Sequence, residues 1–147
     1  MHESELQVFI DGTTYYFSQS SDEDASVGTP YLISNRASHA KEYTGIIGIS
    51  GKRKGSVYFT ADADMLKALL ASMGETTLTH EYLCDLVGEV ANTISGNARK
   101  EFGNDFLISV PIVVVGEKKI VMPEDLRSFV IPINWRDHEA FLVICLE

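Results

Sequence analysis

Residues 79–103 read THEYLCDLVGEVANTISGNARKEFG. At about 100° per residue this stretch splits into two faces, the mark of an amphipathic helix. Leu83, Leu86, Val87, Val90, Ile94 and Ala98 fall on one side. Asp85, Glu89, Asn92 and Gly96 fall on the other, within a stripe roughly 60° wide. The apolar side is a packing face. The polar side is rich in poor helix formers: Gly88, Asn92, Thr93, Ser95, Gly96 and Asn97. Each glycine costs about 0.8–1.0 kcal/mol relative to alanine in a helix interior. Several broken local rules on one side of a strongly patterned helix point to function there.

Glu89 and Asn92 lie three residues apart and are neighbours on such a helix. One is an anionic acceptor; the other is an amide that donates and accepts hydrogen bonds. An amide is a poor general base at neutral pH, but it can fix the position of a water molecule. Gly96, one turn on, lets another surface approach the backbone. The pattern predicts a flat docking face with one water-positioning group, not a pocket.

Working outward, the 147-residue length fits a single domain over residues 1–147. Hydrophobic content of 45% and charged content of 22% are those of a soluble globular chain. A net charge of −9 disfavours nucleic acid or an anionic membrane as partner. No apolar run reaches the roughly 20 residues of a membrane span, and no N-terminal signal is evident. Cys84 and Cys145 have no metal-ligand spacing and read as free thiols of a reducing compartment. The expected location is the cytoplasm.

Ser4 to Ser18 is predicted helical, with Ser4 as its cap, although Leu6, Val8 and Ile10 also alternate like a strand and Gly12 interrupts either pattern; a mobile acidic loop follows from Ser18 to Ser26. Pro30 to Asn35 reads as a short strand. Tyr43–Ser50 and Ser56–Thr60 form a hairpin across a solvated Gly51–Gly55 turn. Asp62 or Ala63 to Met73 is a short helix capped by Asp62 or Asp64 and ended by Gly74. After the long helix the period changes to strands: Phe106–Val115, Lys119–Met122, Ser128–Ile133 and Ala140–Leu146. Gly116–Lys118 and Asn134–Glu139 are turns, and Pro111 implies an edge position or bulge. The predicted class is α+β: an antiparallel sheet, ending in a strand meander, with helices packed on a face.

Other chemistries fit poorly. None of His2, His39, His80 and His138 forms a metal-type pair; His80-Glu81 diverge by about 100° on a helix. There is no Gly-x-Ser-x-Gly nucleophile motif, and Gly51–Gly55 lacks the phosphate-loop order. Trp135 reads as a hairpin packing residue.

Asp85-x-x-x-Glu89-x-x-Asn92, within DLVGEVANTISGNA, resembles the CheX branch of the CheC/CheX/FliY chemotaxis phosphatases. That family's signature is an acidic residue or serine, then Glu-x-x-Asn, then a proline after the helix. Pro111 resembles that proline, a few residues closer to Asn92 than in the family pattern. The resemblance is best from Leu83 to Gly116 and loose over the first 40 residues. It implies a CheC-like fold and a phosphatase acting on a phosphorylated CheY-like response regulator. Asn92 would hold water for in-line attack on the phospho-aspartate, and Glu89 would pair with a partner lysine. Asp85 would be a rim contact and Gly96 the point of close approach. No metal or cofactor is expected in this chain; Mg²⁺ would come with the regulator. The first helix lacks Glu-x-x-Asn, so one site per chain is expected, in a homodimer joined through strands. Two alternatives are a non-catalytic adaptor for a receiver domain or flagellar-switch-type component, and a plain structural or small-ligand domain.

Overall fold

A computed structural model describes residues 1–35, 39–116, 120, 122–123 and 126–147. The order is α1 (Glu3–Ser20), β1 (Ser26–Val27), β2 (Tyr31–Ser34), β3 (Tyr43–Gly51), β4 (Gly55–Ala61), α2 (Ala63–Ser72) and α3 (His80–Phe102). Then come β5 (Phe106–Ile108), β6 (Ile112–Val115), β7 (Arg127–Trp135) and β8 (His138–Leu146). The strands form one antiparallel sheet in the order β1-β7-β8-β4-β3-β5, with β2 also on β7 and β6 also on β3. The α+β class is as expected.

Alternation at period two decides which side chains meet the helices. Val57, Phe59 and Ala61 of β4, Ile131, Ile133 and Trp135 of β7, and Ala140, Leu142 and Ile144 of β8 point to the helical side. There they join Phe9 and Phe17 of α1, Leu66 and Leu69 of α2, and Leu86, Val90 and Ile94 of α3 in one core. The opposite face carries a smaller cluster around Tyr58, Val130 and Val143.

The C-terminal strands are not a meander. β5 and β6 add to β3 at one side of the sheet, whereas β8 pairs with β4 and carries β7 with it. The expected strand from Phe106 to Val115 is broken at Ser109–Pro111, where proline has no N–H for the ladder. The break is held to β3 by Gly48, whose N–H donates to Ser109 Oγ at 2.8 Å and whose carbonyl accepts from Ser109 N–H at 2.9 Å. Of the predicted strand over Lys119–Met122, Lys119 and Val121 lie outside the described residues, and Ile120 and Met122 are in no strand. Of the predicted Gly116–Lys118 turn, Glu117 and Lys118 also lie outside them.

Several local expectations change. The first helix begins after His2, not Ser4, and the His2 N–H donates to Glu5 Oε1 at 3.0 Å. The acidic loop is tied down: Trp135 Nε1 donates to the Glu23 carbonyl at 3.0 Å, and Arg136 pairs with Asp22 at 2.6 Å. The β7–β8 ladder runs on to Trp135↔His138, so its turn is only Arg136-Asp137, with Arg136 at φ 54°. In the Gly51–Gly55 turn Arg53 is half-buried; it pairs with Glu5 and donates to the Glu147 carbonyl at 2.7 Å. Asp62 stands at the start of α2, yet its carboxylate accepts from the Glu42 N–H at 3.3 Å instead of capping the helix.

Candidate functional site

α3 has 23 residues, between Thr79 and Gly103, the latter at φ 94°. Glycine takes this conformation without a Cβ clash. Arg99 and Lys100 in its last turn complement the helix dipole. Its first turn is fixed by His80, which shares a 2.7 Å hydrogen bond with the Tyr43 hydroxyl on β3 and lies 3.6 Å from Cys84 Sγ. His80 therefore belongs to the packing of the helix on the sheet. Burial, with Asp85 and Glu81 nearby, pushes the Cys84 thiol up, so it is not an activated nucleophile.

The apolar side of α3 is buried as its pattern predicts: Leu83, Leu86, Val87, Val90, Ile94 and Ala98 are all inside. The helix lies unusually close to β3. A Cβ at Gly45 would stand 2.5 Å from the Val87 carbonyl oxygen. Backbone thus rests on backbone, and the height of α3 above the sheet is set without intervening side chains.

Of the six poor helix formers, three turn toward the protein and not to solvent. Gly88 is buried, and a Cβ there would meet Val113 Cγ2 at 3.2 Å and Pro111 at 3.5 Å. Its lack of a side chain admits the β5–β6 junction, so Gly88 is not part of an exposed face. Ser95 is fully buried. Asn97 Nδ2 donates to the Gly12 carbonyl of α1 at 3.1 Å. What remains outside is the stripe Asp85, Glu89 and Asn92, all exposed, with Gly96 half-exposed. A Cβ at Gly96 would meet nothing within 4 Å, so packing does not require that glycine.

Two clefts flank α3, and Asp85 and Glu89 line one of them, so this part of the face is not flat. One, of about 350 Å³, lies between α1 and α3 near Tyr15, Asn97 and Lys100. The other, of about 310 Å³, lies between α2 and α3 and reaches Glu89. Among the described residues the side chains of Glu89 and Asn92 make no hydrogen bond or ion pair within the chain. One residue near the site was invisible in the sequence, where it reads only as core. Tyr16 of α1 is 2% exposed, and its hydroxyl is held well above the ordinary tyrosine range, first by burial and then by the negative charge of Glu89. The Glu89 carboxylate is therefore in electrostatic reach of a buried phenol of the neighbouring helix. Helical spacing alone does not reveal that α1 and α3 are neighbours.

A carboxylate and a carboxamide one turn apart on a rigid helix can do two things. They can hydrogen-bond a protruding cationic or polar group, and they can orient a water molecule. Among the described residues no set of three or more His, Cys, Asp or Glu is gathered as a metal site. No helix of the described residues is long and apolar enough to cross a membrane.

The whole architecture has close parallels. A chemotaxis protein CheX from Desulfovibrio desulfuricans superposes with a TM-score of 0.86 at 27% identity, covering 98% of this chain and 99% of that one. A CheC-like superfamily protein from Shewanella sp. PV-4 gives 0.84 at 27% identity, covering 100% and 99%. The fold is shared also by a CheX-CheY-BeF3-Mg²⁺ complex from Borrelia burgdorferi, at 0.77 and 19% identity with 97% of each chain covered. No curated protein matches the chain in sequence. The family described as chemotaxis phosphatase CheX matches residues 43–134, from the start of β3 through α3 into β7. That span holds Gly45, Gly88 and the exposed Glu89–Asn92 pair, and on it the chain belongs to the CheX chemotaxis phosphatase family.

Proposed function

We propose that this protein dephosphorylates the phospho-aspartate of a CheY-like response regulator, with Asn92 and Glu89 as the residues that reach the reacting centre. The observation that carries the reading is the pair itself, exposed, with no hydrogen bond or ion pair to its side chains among the described residues, and seated on a helix fixed to β3 by backbone contact. Family membership and the CheY bound to the Borrelia burgdorferi relative support the choice of partner. The reading places the chain with its partner in the cytoplasm.

The substrate is an acyl phosphate. Water attacks phosphorus, the bond from phosphorus to the aspartyl oxygen breaks, and inorganic phosphate and a free carboxylate result. In the proposal the Asn92 amide holds the water in line with the breaking bond. Glu89 pairs with a lysine of the partner and sets the register, Asp85 contacts the rim, and Gly96 admits the partner's surface. Mg²⁺ is brought by the regulator and offsets charge on the phosphoryl group. Positioning and electrostatics are the main protein contributions to phosphoryl transfer.

We also propose a homodimer joined through strands. β6 lies at the β3 side of the sheet and exposes Ile112 at 62%, with Val113 and Val115 also exposed, and Val110 just before it is 80% exposed. An uncovered apolar edge invites pairing with another strand.

The test is phosphate release from a panel of phosphorylated receiver domains with and without the protein. Acceleration by the wild-type chain, lost in Asn92→Ala, is expected. Binding of a phosphorylated receiver with no acceleration would make the chain an adaptor; no binding at all would leave a structural domain.

A further inference from the structure

The α2–α3 cleft differs in character from the cleft on the other side of α3. Met73, Tyr82 and Leu86 form its apolar part, and Met73 and Tyr82 are each 40% exposed. Glu75, Asp85 and Glu89 line the same cleft, and among the described residues no cation lines it. The α1–α3 cleft, by contrast, includes Lys100 beside Asp11 and Glu101. Tyr82, Asp85 and Glu89 follow one another at i, i+3 and i+7, so one side of α3 presents them in line. Glu75 is held in place by its own loop, accepting from the Thr76 and Thr77 N–H groups at 3.1 and 3.2 Å.

We propose that this cleft is the docking groove for the receiver domain, taking a surface segment that carries a lysine or arginine beside an apolar side chain. This rests on the phosphatase reading. The cation would meet Glu75 and Asp85 and is distinct from the lysine that pairs with Glu89. Two arguments select this occupant. Three carboxylates give the cleft a negative lining, which a partner cation complements. Glu89 also lines the groove, so a segment lying in it is continuous with the surface that carries the phosphoryl group. Exposed methionine and tyrosine supply the apolar anchor, as residues of these types do at interface cores. The groove sets affinity and partner choice; Asn92 sets the rate of the chemical step.

The experiment uses the full chain and a phosphorylated receiver that the wild type dephosphorylates. Tyr82→Ala combined with Met73→Ser tests the apolar part, and Glu75→Lys separately tests the charge. Thermal melts check that each variant folds. Both are expected to raise KM by about tenfold while kcat stays within about twofold, since uniform binding is removed and transition-state contacts are not. Added salt is expected to raise the KM of the wild type more than that of Glu75→Lys. Unchanged KM in folded variants of both kinds would overturn the groove and leave the phosphatase reading intact. Failure of the wild type to act on any receiver would remove that reading and the groove with it.

Discussion

Asn92 and Gly96 share one helix face, but their substitutions separate chemistry from approach. Asn92 is exposed and its side chain has no partner among the described residues, and alanine is the better helix former. Asn92→Ala is therefore expected to leave the melting temperature unchanged or slightly raised. Single-turnover dephosphorylation at saturating receiver is expected to fall about 100-fold, the scale of a lost transition-state contact. Glu89→Ala is expected to weaken binding as well as rate, which measurements at saturating and subsaturating receiver resolve. At Gly96 a methyl group meets no neighbour. Gly96→Ala is thus expected to stabilise the fold by about 0.5–1 kcal/mol in denaturant titration. Gly96→Leu is expected to raise KM by standing in the partner's way. A Gly96→Ala protein less stable than wild type would show that the glycine serves packing after all. The Asp85, Glu89 and Asn92 face was readable because helical periodicity is local. Gly88, Ser95 and Asn97 were misassigned to it because the atoms that explain Gly88 and Asn97 lie far along the chain, on Pro111, Val113 and Gly12.

For α3 as an element, the decisive contact is with β3. A methyl at Gly45 would stand 2.5 Å from the Val87 carbonyl, a backbone atom that cannot turn aside. Gly45→Ala must lift the helix and is expected to cost about 1–3 kcal/mol, the range for overpacking. Gly88→Ala meets Val113 Cγ2 at 3.2 Å, a side-chain methyl that can yield, and it gains helix propensity. Its effect on stability is expected to be under about 1 kcal/mol. Equal losses in the two variants would contradict this seating. Neither contact was legible in the sequence, where Gly45 is one glycine in a strand run. The strands themselves were, because alternation and the glycine-bounded turn are local signals. The extent of the β7–β8 hairpin was not, since NWRDHE is polar and the ladder through it is secured by buried Trp135.

At the scale of the molecule, the sheet order depends on which strands find each other across long separations. The α+β class follows from the element types, whereas the pairing of β8 with β4 has no local cue. That pairing leaves β6 at the β3 side with its valines and isoleucine open. If two copies join there, light scattering after size exclusion is expected to give a dimer mass for the wild type and a monomer mass for Ile112→Lys. A monomeric wild type at tens of micromolar would end the dimer proposal. The exposure of Asn92 has a further consequence, for metabolism. Small-molecule sites are concave and surround most of their ligand. Asn92 is exposed, lines neither cleft beside α3 and cannot enclose a metabolite by itself. On the proposed reading, a free low-molecular-weight acyl phosphate such as acetyl phosphate would drift past it uncleaved. Incubated with that compound alone, the protein is expected to release no phosphate above background. Small acyl phosphates would be spared while the phosphorylated regulator is discharged.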